Sequence, residues 1–188
     1  MLKTDIRQRY AKMRSALTVM EKNKLDDLLL IEFQKNIDIT PNCLLSYAPF
    51  ENRLEFDPHL IERYCAFKNP VLTIAYPIIK TGDTLQAVAI DEQTVFSLNK
   101  YGISEPVDGV PVEDAEIDMV FVPLLAFDAK GYRVGYGKGY YDRFLSEQSH
   151  VLKIGFSYFD AVAMISDINE HDVPLDVCIT PYQTYHFN

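Results

Sequence analysis

The feature that most constrains the fold is one apolar run. Residues 119–127 read MVFVPLLAF and contain no charged or polar side chain. A strand with one solvated face alternates apolar and polar residues, whereas a strand that is covered on both faces is apolar throughout. We therefore predict that this run is a central strand of a sheet that is covered on both sides.

The first 37 residues have the spacing of two amphipathic helices. At about 100° per residue, one narrow stripe is formed by Ile6, Tyr10, Met13 and Leu17. Thr18 followed by Glu21 is typical of a capping box, in which each residue satisfies an amide of the other at the start of a helix. The second helix is expected to run from there to about Asn36.

Strand and helix patterns alternate along the rest of the chain. Strands are expected over residues 43–48, 71–79, 151–158 and 177–180, and an edge ribbon over residues 85–90 and 94–98. Helices are expected after Asp57-Pro58, from Tyr140 to about Glu147, and over residues 161–165. This alternation predicts an α/β sandwich with a mostly parallel or mixed central sheet. Since no linker, repeat or low-complexity tract interrupts it, we expect one domain over residues 1–188.

The charge balance bears on which partners the protein can bind. Eighteen basic residues against 27 acidic residues give a formal net charge of −9. Such a surface repels a polyanion, so we expect no nucleic-acid partner. The basic residues are nevertheless concentrated in residues 1–14 and 128–143. That distribution suits a small anionic ligand.

The cysteines and the apolar runs indicate the compartment in which the protein works. The cysteines have no CxxC or paired-histidine spacing, so we interpret them as buried thiols in a reducing cytoplasm: Cys43, Cys65 and Cys178. The first 20 residues carry too many charges for a signal peptide, and no apolar run approaches the about 18 residues of a transmembrane helix. We expect a soluble cytoplasmic protein without a membrane partner, either a monomer or a weak homodimer.

The segment after the apolar run carries glycines at alternate positions, Gly135, Gly137 and Gly139. Glycine lets the backbone approach a ligand closely, and amide groups just before a helix can bind phosphate. Three cations surround these glycines: Arg133, Lys138 and Arg143. The segment is not a Walker A loop, which requires GxxxxGK[ST], and it lacks the third glycine of the dinucleotide fingerprint. We interpret it as a phosphate site, with a tight turn from strand to helix as the alternative.

Other charged residues leave alternatives open. Along one flank of the buried stripe of the first helix lie Lys3, Arg7 and Arg14, which form either a solvated face or a cover over an anion site. Asp142 either stabilises the N-terminus of a helix through the helix dipole or binds Mg²⁺ through its oxygens. The acidic residues 170–176 could supply a second carboxylate from Asp176.

Together these segments resemble the 5-formyltetrahydrofolate cyclo-ligase family, also called 5,10-methenyltetrahydrofolate synthetase. The likeness is strongest over residues 117–145, IDMVFVPLLAFDAKGYRVGYGKGYYDRFL, where the family has a strand followed by D-x-x-G-x-R-L-G-x-G-x-G-Y-Y-D-R. Supporting motifs are Lys3-x-x-Ile6-Arg7, Glu55-Phe56-Asp57, YGISEP at residues 101–106 and HDVPLD at residues 171–176. The chain departs from the family's pattern at Pro58, where threonine is usual, and at Ala161, where glutamine is frequent.

The resemblance implies a three-layer α/β/α architecture and the conversion of 5-formyltetrahydrofolate, with or without a polyglutamate tail, to 5,10-methenyltetrahydrofolate. ATP would become ADP and phosphate, with Mg²⁺ as cofactor. It implies catalytic roles for Lys138, Arg143 and Tyr141, folate contacts from Glu55 and Tyr140, and metal ligation by Asp142 and Asp176. The ATP-binding residues that it implies are Lys3, Arg7, Arg133, Val134, Gly135, Tyr136, Gly137, Lys138, Gly139, Tyr140 and Tyr141.

Two other functions stay open at this point, because a fold does not determine an activity. One is an enzyme of the sugar-phosphate isomerase kind on a similar scaffold, which would turn over without ATP. The other is a nucleotide-binding regulator without catalytic activity.

Overall fold

The computed structural model describes residues 1–187. Its four α-helices within this range are α1 Lys3–Ser15, α2 Val19–Asn36, α3 His59–Lys68 and α4 Tyr140–Ser146. Its strands are β1 Cys43–Leu45, β2 Thr73–Ile79, β3 Leu85–Ala89, β4 Phe96–Leu98, β5 Ser104–Pro106, β6 Val110–Pro111, β7 Met119–Val122, β8 Ala126–Phe127, β9 Arg133–Val134, β10 Leu152–Phe156, β11 Val177–Ile179 and β12 Thr184–His186. Within the same residues, none of the helices combines the length and the apolar character that crossing a membrane requires.

Eight strands form one mixed sheet in the order β12-β11-β10-β7-β1-β2-β3-β6. The five strands from β11 to β2 run parallel to one another. The outer strands β12, β3 and β6 are antiparallel to their neighbours. The prediction of an α/β fold with a mixed central sheet is therefore confirmed.

Strand β7 is buried on both faces, as its apolar sequence predicts. Met119 and Phe121 pack on one face in a cluster with Phe33 of α2. Val120 packs on the other face in a cluster with Phe144 of α4. Because successive side chains of a strand point to opposite faces, one fully apolar strand joins two cores. Helices cover the sheet on both sides, which makes three layers.

The apolar run is nevertheless not one strand. Strand β7 ends at Val122, and β8 pairs with β9 in a separate two-stranded sheet. Pro123 interrupts the run, because it has no N–H to donate to a ladder. Beyond it, the N–H of Leu125 donates to the carbonyl of Val134 at 2.8 Å. A run of apolar residues does not reveal such a change of partner.

Helix α1 packs against the β8–β9 hairpin. Its residues Ile6 and Tyr10 share a buried cluster with Ala126 and Val134. The stripe at helical spacing is thus the side of α1 that meets the hairpin. This packing brings the N-terminal cations of α1 beside the glycine segment that follows β9.

Several local predictions are confirmed. The capping box exists: the N–H of Glu21 donates to Thr18 Oγ1 at 3.2 Å, and the N–H of Thr18 donates to Glu21 Oε2 at 2.8 Å. Helix α3 does begin after Asp57-Pro58, but its N-cap is Pro58 and not the expected Asp57, whose side chain accepts a hydrogen bond from the N–H of His59 at 3.1 Å. The three cysteines are buried free thiols.

Other local predictions are wrong. Residues 85–90 and 94–98 form no ribbon with each other, since β3 pairs with β2 and β6, whereas β4 pairs with β5. Residues 161–165 form no helix, and Val162 instead makes a parallel bridge with Asp128. Strand β12 has no counterpart among the predicted elements. Apolar spacing over so few residues cannot separate a helix from a strand or choose between strand partners.

Replacing Phe121 tests how much the stability of the fold depends on the burial of β7. Its ring makes edge contacts with Phe33 and Phe156, with ring centroids 6.1 Å and 5.0 Å away. We predict that Phe121→Ala lowers the free energy of unfolding by about 3–5 kcal/mol, because it leaves a cavity in a closed core. Phe67→Ala in α3 removes a ring that is 81% exposed. This variant should change the free energy of unfolding by less than about 0.5 kcal/mol. Urea denaturation of both variants measures the difference, and equal losses would contradict it.

Candidate active site

A cavity of about 310 Å³ opens at the carboxyl ends of the parallel strands. Its wall includes Tyr47 just beyond β1, Pro123 just beyond β7, and Pro77 and Ile79 of β2. Ligands of open α/β sheets bind in crevices at this edge, and the volume suits a small molecule. The glycine segment and the start of α1 close the cavity from the other side.

Two cations of α1 line this cavity. Arg7 Nε donates to the carbonyl of Gly135 at 2.9 Å, which joins α1 to the glycine segment. Lys3 Nζ donates to both carboxylate oxygens of Asp172, at 2.6 Å and 2.5 Å. Residues that are more than 120 positions apart in the chain thus share one wall. The flank is therefore not a solvated face, and its role as a cover over an anion site stays a prediction.

The glycine segment adopts backbone conformations that require glycine at two places. Gly137 has φ +87° and Gly139 has φ +68°, in the left-handed region that other residues rarely adopt. A Cβ at Gly137 would also lie 3.3 Å from the guanidinium carbon of Arg7. The backbone of the segment therefore lies close to a cation that faces the cavity.

The three cations of the segment have different surroundings. Arg133 is buried, and its Nη2 donates to Asp142 Oδ1 at 2.9 Å. Lys138 is exposed at the cavity, with Nζ 5.5 Å from the ring centroid of Tyr101. Arg143 is exposed and does not belong to the cavity wall: its guanidinium donates to the carbonyl of Asp83 at 2.9 Å and 3.1 Å. Arg143 therefore holds the segment to the β2–β3 turn.

A buried carboxylate also lines the cavity. Glu55 is 3% exposed, and its Oε2 accepts a hydrogen bond from the N–H of Phe50 at 2.8 Å. Its Oε1 accepts one from the hydroxyl of Tyr136 at 2.6 Å and lies 3.9 Å from Nη1 of Arg14. Burial raises the pKa of Glu55, and the charge of Arg14 opposes that rise. The cavity thus combines cations with buried acids, since Glu105 of its wall is buried as well.

Aromatic side chains cover much of the remaining wall, from Tyr47, Phe50, Tyr101, Tyr136, Tyr140 and Tyr141. The hydroxyl of Tyr141 is buried and has no hydrogen-bond partner among the described residues. Buried hydroxyls without a partner are uncommon in proteins. A ligand in the cavity could supply the missing acceptor.

Only one of the two candidate metal ligands lines the cavity. Asp142 lines the cavity, whereas Asp176 is not part of its wall. The Oδ2 of Asp176 accepts a hydrogen bond from the N–H of Lys153 at 2.7 Å and lies 2.8 Å from its Nζ. The carboxylate is thus already engaged at the start of β10. Asp172, four residues earlier, is the acid of this segment that lines the cavity.

Comparison with known proteins gives one consistent result. The sequence profile of the 5-formyltetrahydrofolate cyclo-ligase family matches residues 59–181. The chain belongs to this family.

Among curated members, the 5-formyltetrahydrofolate cyclo-ligase of Mycoplasma pneumoniae is 30% identical over 186 residues, covering 94% of this chain and 97% of the relative. The enzyme of the same name from Mycoplasma genitalium is 28% identical over 180 residues, covering 94% of this chain and 97% of the relative. The NMR structure of Aquifex aeolicus 5,10-methenyltetrahydrofolate synthetase superposes with a TM-score of 0.81 at 26% identity, covering 100% of this chain and 94% of that one. The resemblance and the enzyme class that it implies are confirmed.

The sequence alone did not single out two residues that contact the residues of this site. It placed Arg14 only on the flank of α1, although Arg14 lies seven positions after Arg7 and hence on the same face of the helix. It did not mark Asp172, because one acid among several in residues 170–176 carries no distinguishing signal. The contact of Lys3 with Asp172 is what distinguishes it.

The contact between Gly137 and Arg7 can be tested by a matched pair of variants. Gly137→Ala and Gly82→Ala both place a side chain at a positive φ, +87° and +83°, but only the first meets a neighbour within 4 Å. We expect both to lower the free energy of unfolding by about 1–2 kcal/mol. Gly137→Ala alone should weaken the binding of inorganic triphosphate, measured by calorimetry. Equal triphosphate affinities in the two variants would contradict a phosphate site at this contact.

Proposed function

We propose that this protein catalyses the ATP- and Mg²⁺-dependent cyclisation of 5-formyltetrahydrofolate to 5,10-methenyltetrahydrofolate, with release of ADP and phosphate. Family membership supports the reaction. The observation that carries the assignment to this cavity is its combined lining, in which the cations Lys3, Arg7 and Lys138 share one cavity with the buried Glu55. The cations suit a triphosphate, and the carboxylate suits the N–H groups of a folate ring.

The difficulty of this cyclisation lies in the leaving group. The formyl oxygen would have to depart as hydroxide or water, which is unfavourable near neutral pH. Transfer of the γ-phosphoryl group of ATP forms a bond from phosphorus to the formyl oxygen and breaks the bond to ADP. N10 of the folate then attacks the formyl carbon and loses its proton, and the carbon–oxygen bond breaks with phosphate as the leaving group. The methenyl bridge remains.

Both new bonds join substrate atoms, so the protein needs no nucleophile of its own. It must hold the formyl oxygen and the γ-phosphorus in line and neutralise the charge of the transferring group. We assign nucleotide binding to Lys3, Arg7 and the backbone of the glycine segment, with Lys138 at the transferring phosphoryl group. Arg143 supports the segment from outside through its contacts with the carbonyls of Asp83 and Lys138.

The folate would lie against the aromatic wall. Glu55 is the acceptor for ring N–H groups, and Tyr140 lines the same cavity. We assign to the hydroxyl of Tyr141 a hydrogen bond to a bound substrate, since it lacks a partner among the described residues. These assignments bring the two substrates into one cavity with the cations and the carboxylate.

Mg²⁺ fits this cavity as an ion that arrives with the nucleotide. Within residues 1–187 no group of three or more histidine, cysteine or acidic side chains could hold a metal unaided. Mg²⁺ is commonly bound by one or two carboxylates together with substrate phosphates and water. Asp142 and Asp172 are acids of the cavity wall, and we propose Asp142 as the ligand. When bound, the ion would neutralise charge on the phosphates.

The reaction can be tested by mixing the protein with ATP, Mg²⁺ and 5-formyltetrahydrofolate and following the near-ultraviolet absorbance of the methenyl product. We expect absorbance to rise only when ATP is present. Turnover of a sugar phosphate without ATP would support an isomerase instead. Nucleotide binding without product formation would support a regulator.

Asp142 is tested by Asp142→Asn, which keeps an oxygen for the hydrogen bond from Arg133 but removes the charge. We expect turnover to fall by at least about a hundredfold at saturating ATP, because the charge on the transferring group is less well neutralised. The variant should still unfold cooperatively, at a lower temperature, because the buried Arg133 loses its counter-charge. Asp38→Asn, an exposed acid outside the cavity, is the control. Near-normal magnesium-dependent turnover of Asp142→Asn would refute the assignment.

Lys138 is tested by Lys138→Ala, with Lys130→Ala as the matched control at an exposed position outside the cavity. We expect Lys138→Ala to raise the KM for ATP or to lower kcat by about tenfold or more, because one phosphate contact is lost. Lys130→Ala should match the unmodified enzyme. Steady-state rates at varied ATP measure both, and an unchanged ATP dependence would remove Lys138 from the site.

A further inference from the structure

The backbone and the side chain of Tyr136 point to different parts of the cavity. Its backbone stands between Gly135 and Gly137, in the segment assigned to the nucleotide. Its hydroxyl instead donates to Glu55 Oε1 at 2.6 Å, on the wall assigned to the folate. The same hydroxyl accepts a hydrogen bond from Nη2 of Arg14 at 2.6 Å.

The ring of Tyr136 is held firmly in this position. Its centroid is 5.1 Å from that of Phe50 in an edge contact, and the guanidinium of Arg53 lies 5.1 Å from it. Arg14 is held as well: it is 6% exposed, and its Nε donates to the carbonyl of Arg53 at 2.9 Å. The hydroxyl therefore has one donor and one acceptor, both buried and both fixed.

Helix α1 supports each end of this arrangement. Arg7 binds the carbonyl of Gly135, and Arg14, two turns further along the same face, binds the hydroxyl of Tyr136. The residue that follows Gly135 is thus held through its backbone neighbour and through its side chain by one rigid element. Because the backbone and the hydroxyl of Tyr136 are joined by one rigid ring, a ligand that shifts the backbone of the segment also shifts the hydroxyl that orients Glu55.

We propose that Tyr136 is a positioning residue for Glu55, and that the network of Arg14, Tyr136 and Glu55 makes the nucleotide and the folate bind cooperatively. This inference rests on the proposed function. The network supplies the physical link: the segment that binds phosphate carries the donor that orients the folate-binding carboxylate. Such coupling is reciprocal, so each ligand must tighten the other by the same factor.

The test is the effect of one ligand on the affinity of the other. Calorimetry gives the Kd of 5-formyltetrahydrofolate alone and in the presence of a saturating ATP analogue. The analogue has a β,γ-bridge that cannot be cleaved, so its γ-phosphoryl group is not transferred. For the unmodified enzyme we expect the analogue to tighten folate binding by about 5–150-fold, the usual range of such coupling. Tyr136→Phe should lower this factor to near one while the analogue alone binds with nearly unchanged affinity. The KM for the folate should then rise more than the KM for ATP.

Tyr132→Phe is the matched control, because Tyr132 belongs to the same region but packs in the cluster beneath α1, outside the cavity. This variant should keep the full coupling factor. If a general loss of packing were enough to lower the factor, Tyr132→Phe would lower it as well. A second variant, Arg14→Lys, keeps the charge but loses the planar guanidinium, and it should also lower the factor. This variant tests the network even if Tyr136→Phe does not fold.

The outcomes separate the two proposals. If Tyr136→Phe and Arg14→Lys retain the coupling of the unmodified enzyme, or if that enzyme shows none, the positioning role is overturned while the cyclisation stands. If the unmodified enzyme forms no methenyl product with ATP and Mg²⁺, the proposed function itself fails. Loss of coupling in Tyr136→Phe with normal coupling in Tyr132→Phe supports the inference.

Discussion

The structure depends on the burial of β7 on both faces. Apolar side chains must fill both sides of this strand, since a polar group between two helical layers would lose its hydration without gaining a partner. Charged groups that act on a ligand are therefore confined to the ends of the strands. The cavity lies at that edge, where Tyr47 and Pro123 follow neighbouring strands. The apolar core thus determines where the chemistry of this protein can occur.

Charge is then arranged around that edge. The protein carries a formal net charge of −9, yet Lys3, Arg7 and Lys138 face one cavity. Clustering cations in a cleft creates a local positive potential that a uniformly acidic surface would not provide for an anion. Glu55 is the opposite case, a buried acid whose charge is stabilised by Arg14 and by two hydrogen bonds. Such opposite charges within one cavity can orient two ligands of different polarity.

Local sequence patterns predicted those structural features that are determined by residues close together in the chain. The capping box at Thr18 and the double burial of β7 follow from a few adjacent side chains, and the structure has both. The break at Pro123 was missed, because an apolar run reports burial but not hydrogen-bond partners. The pairing of β3 was also missed, since its partners β2 and β6 are set by the whole sheet.

The same holds for the site: features formed by neighbouring residues could be predicted, and contacts between distant parts of the chain could not. The glycines and cations of residues 133–143 could be recognised together, because they are neighbours in the chain. A helical wheel places Lys3, Arg7 and Arg14 on one flank of α1 but does not say what that flank faces. Only the packing of Ile6 and Tyr10 on the β8–β9 hairpin determines that it faces the glycine segment. The choice between Asp172 and Asp176 likewise depends on Lys3 and Lys153, which lie far away in sequence.

The glycine segment departs from the common phosphate loops for a physical reason. A Walker A loop only has to surround phosphate, so its glycines and its lysine can be spaced for that purpose. Here Gly137 and Gly139 provide the backbone conformations. Tyr136, which precedes them, and Tyr140 and Tyr141, which follow them, line the cavity. Under the proposed function, this segment would offer its backbone to the nucleotide and its rings and hydroxyls to the folate. A segment that serves two ligands does not have to match the fingerprint of a loop that binds one, which agrees with the absence of a Walker A or dinucleotide pattern.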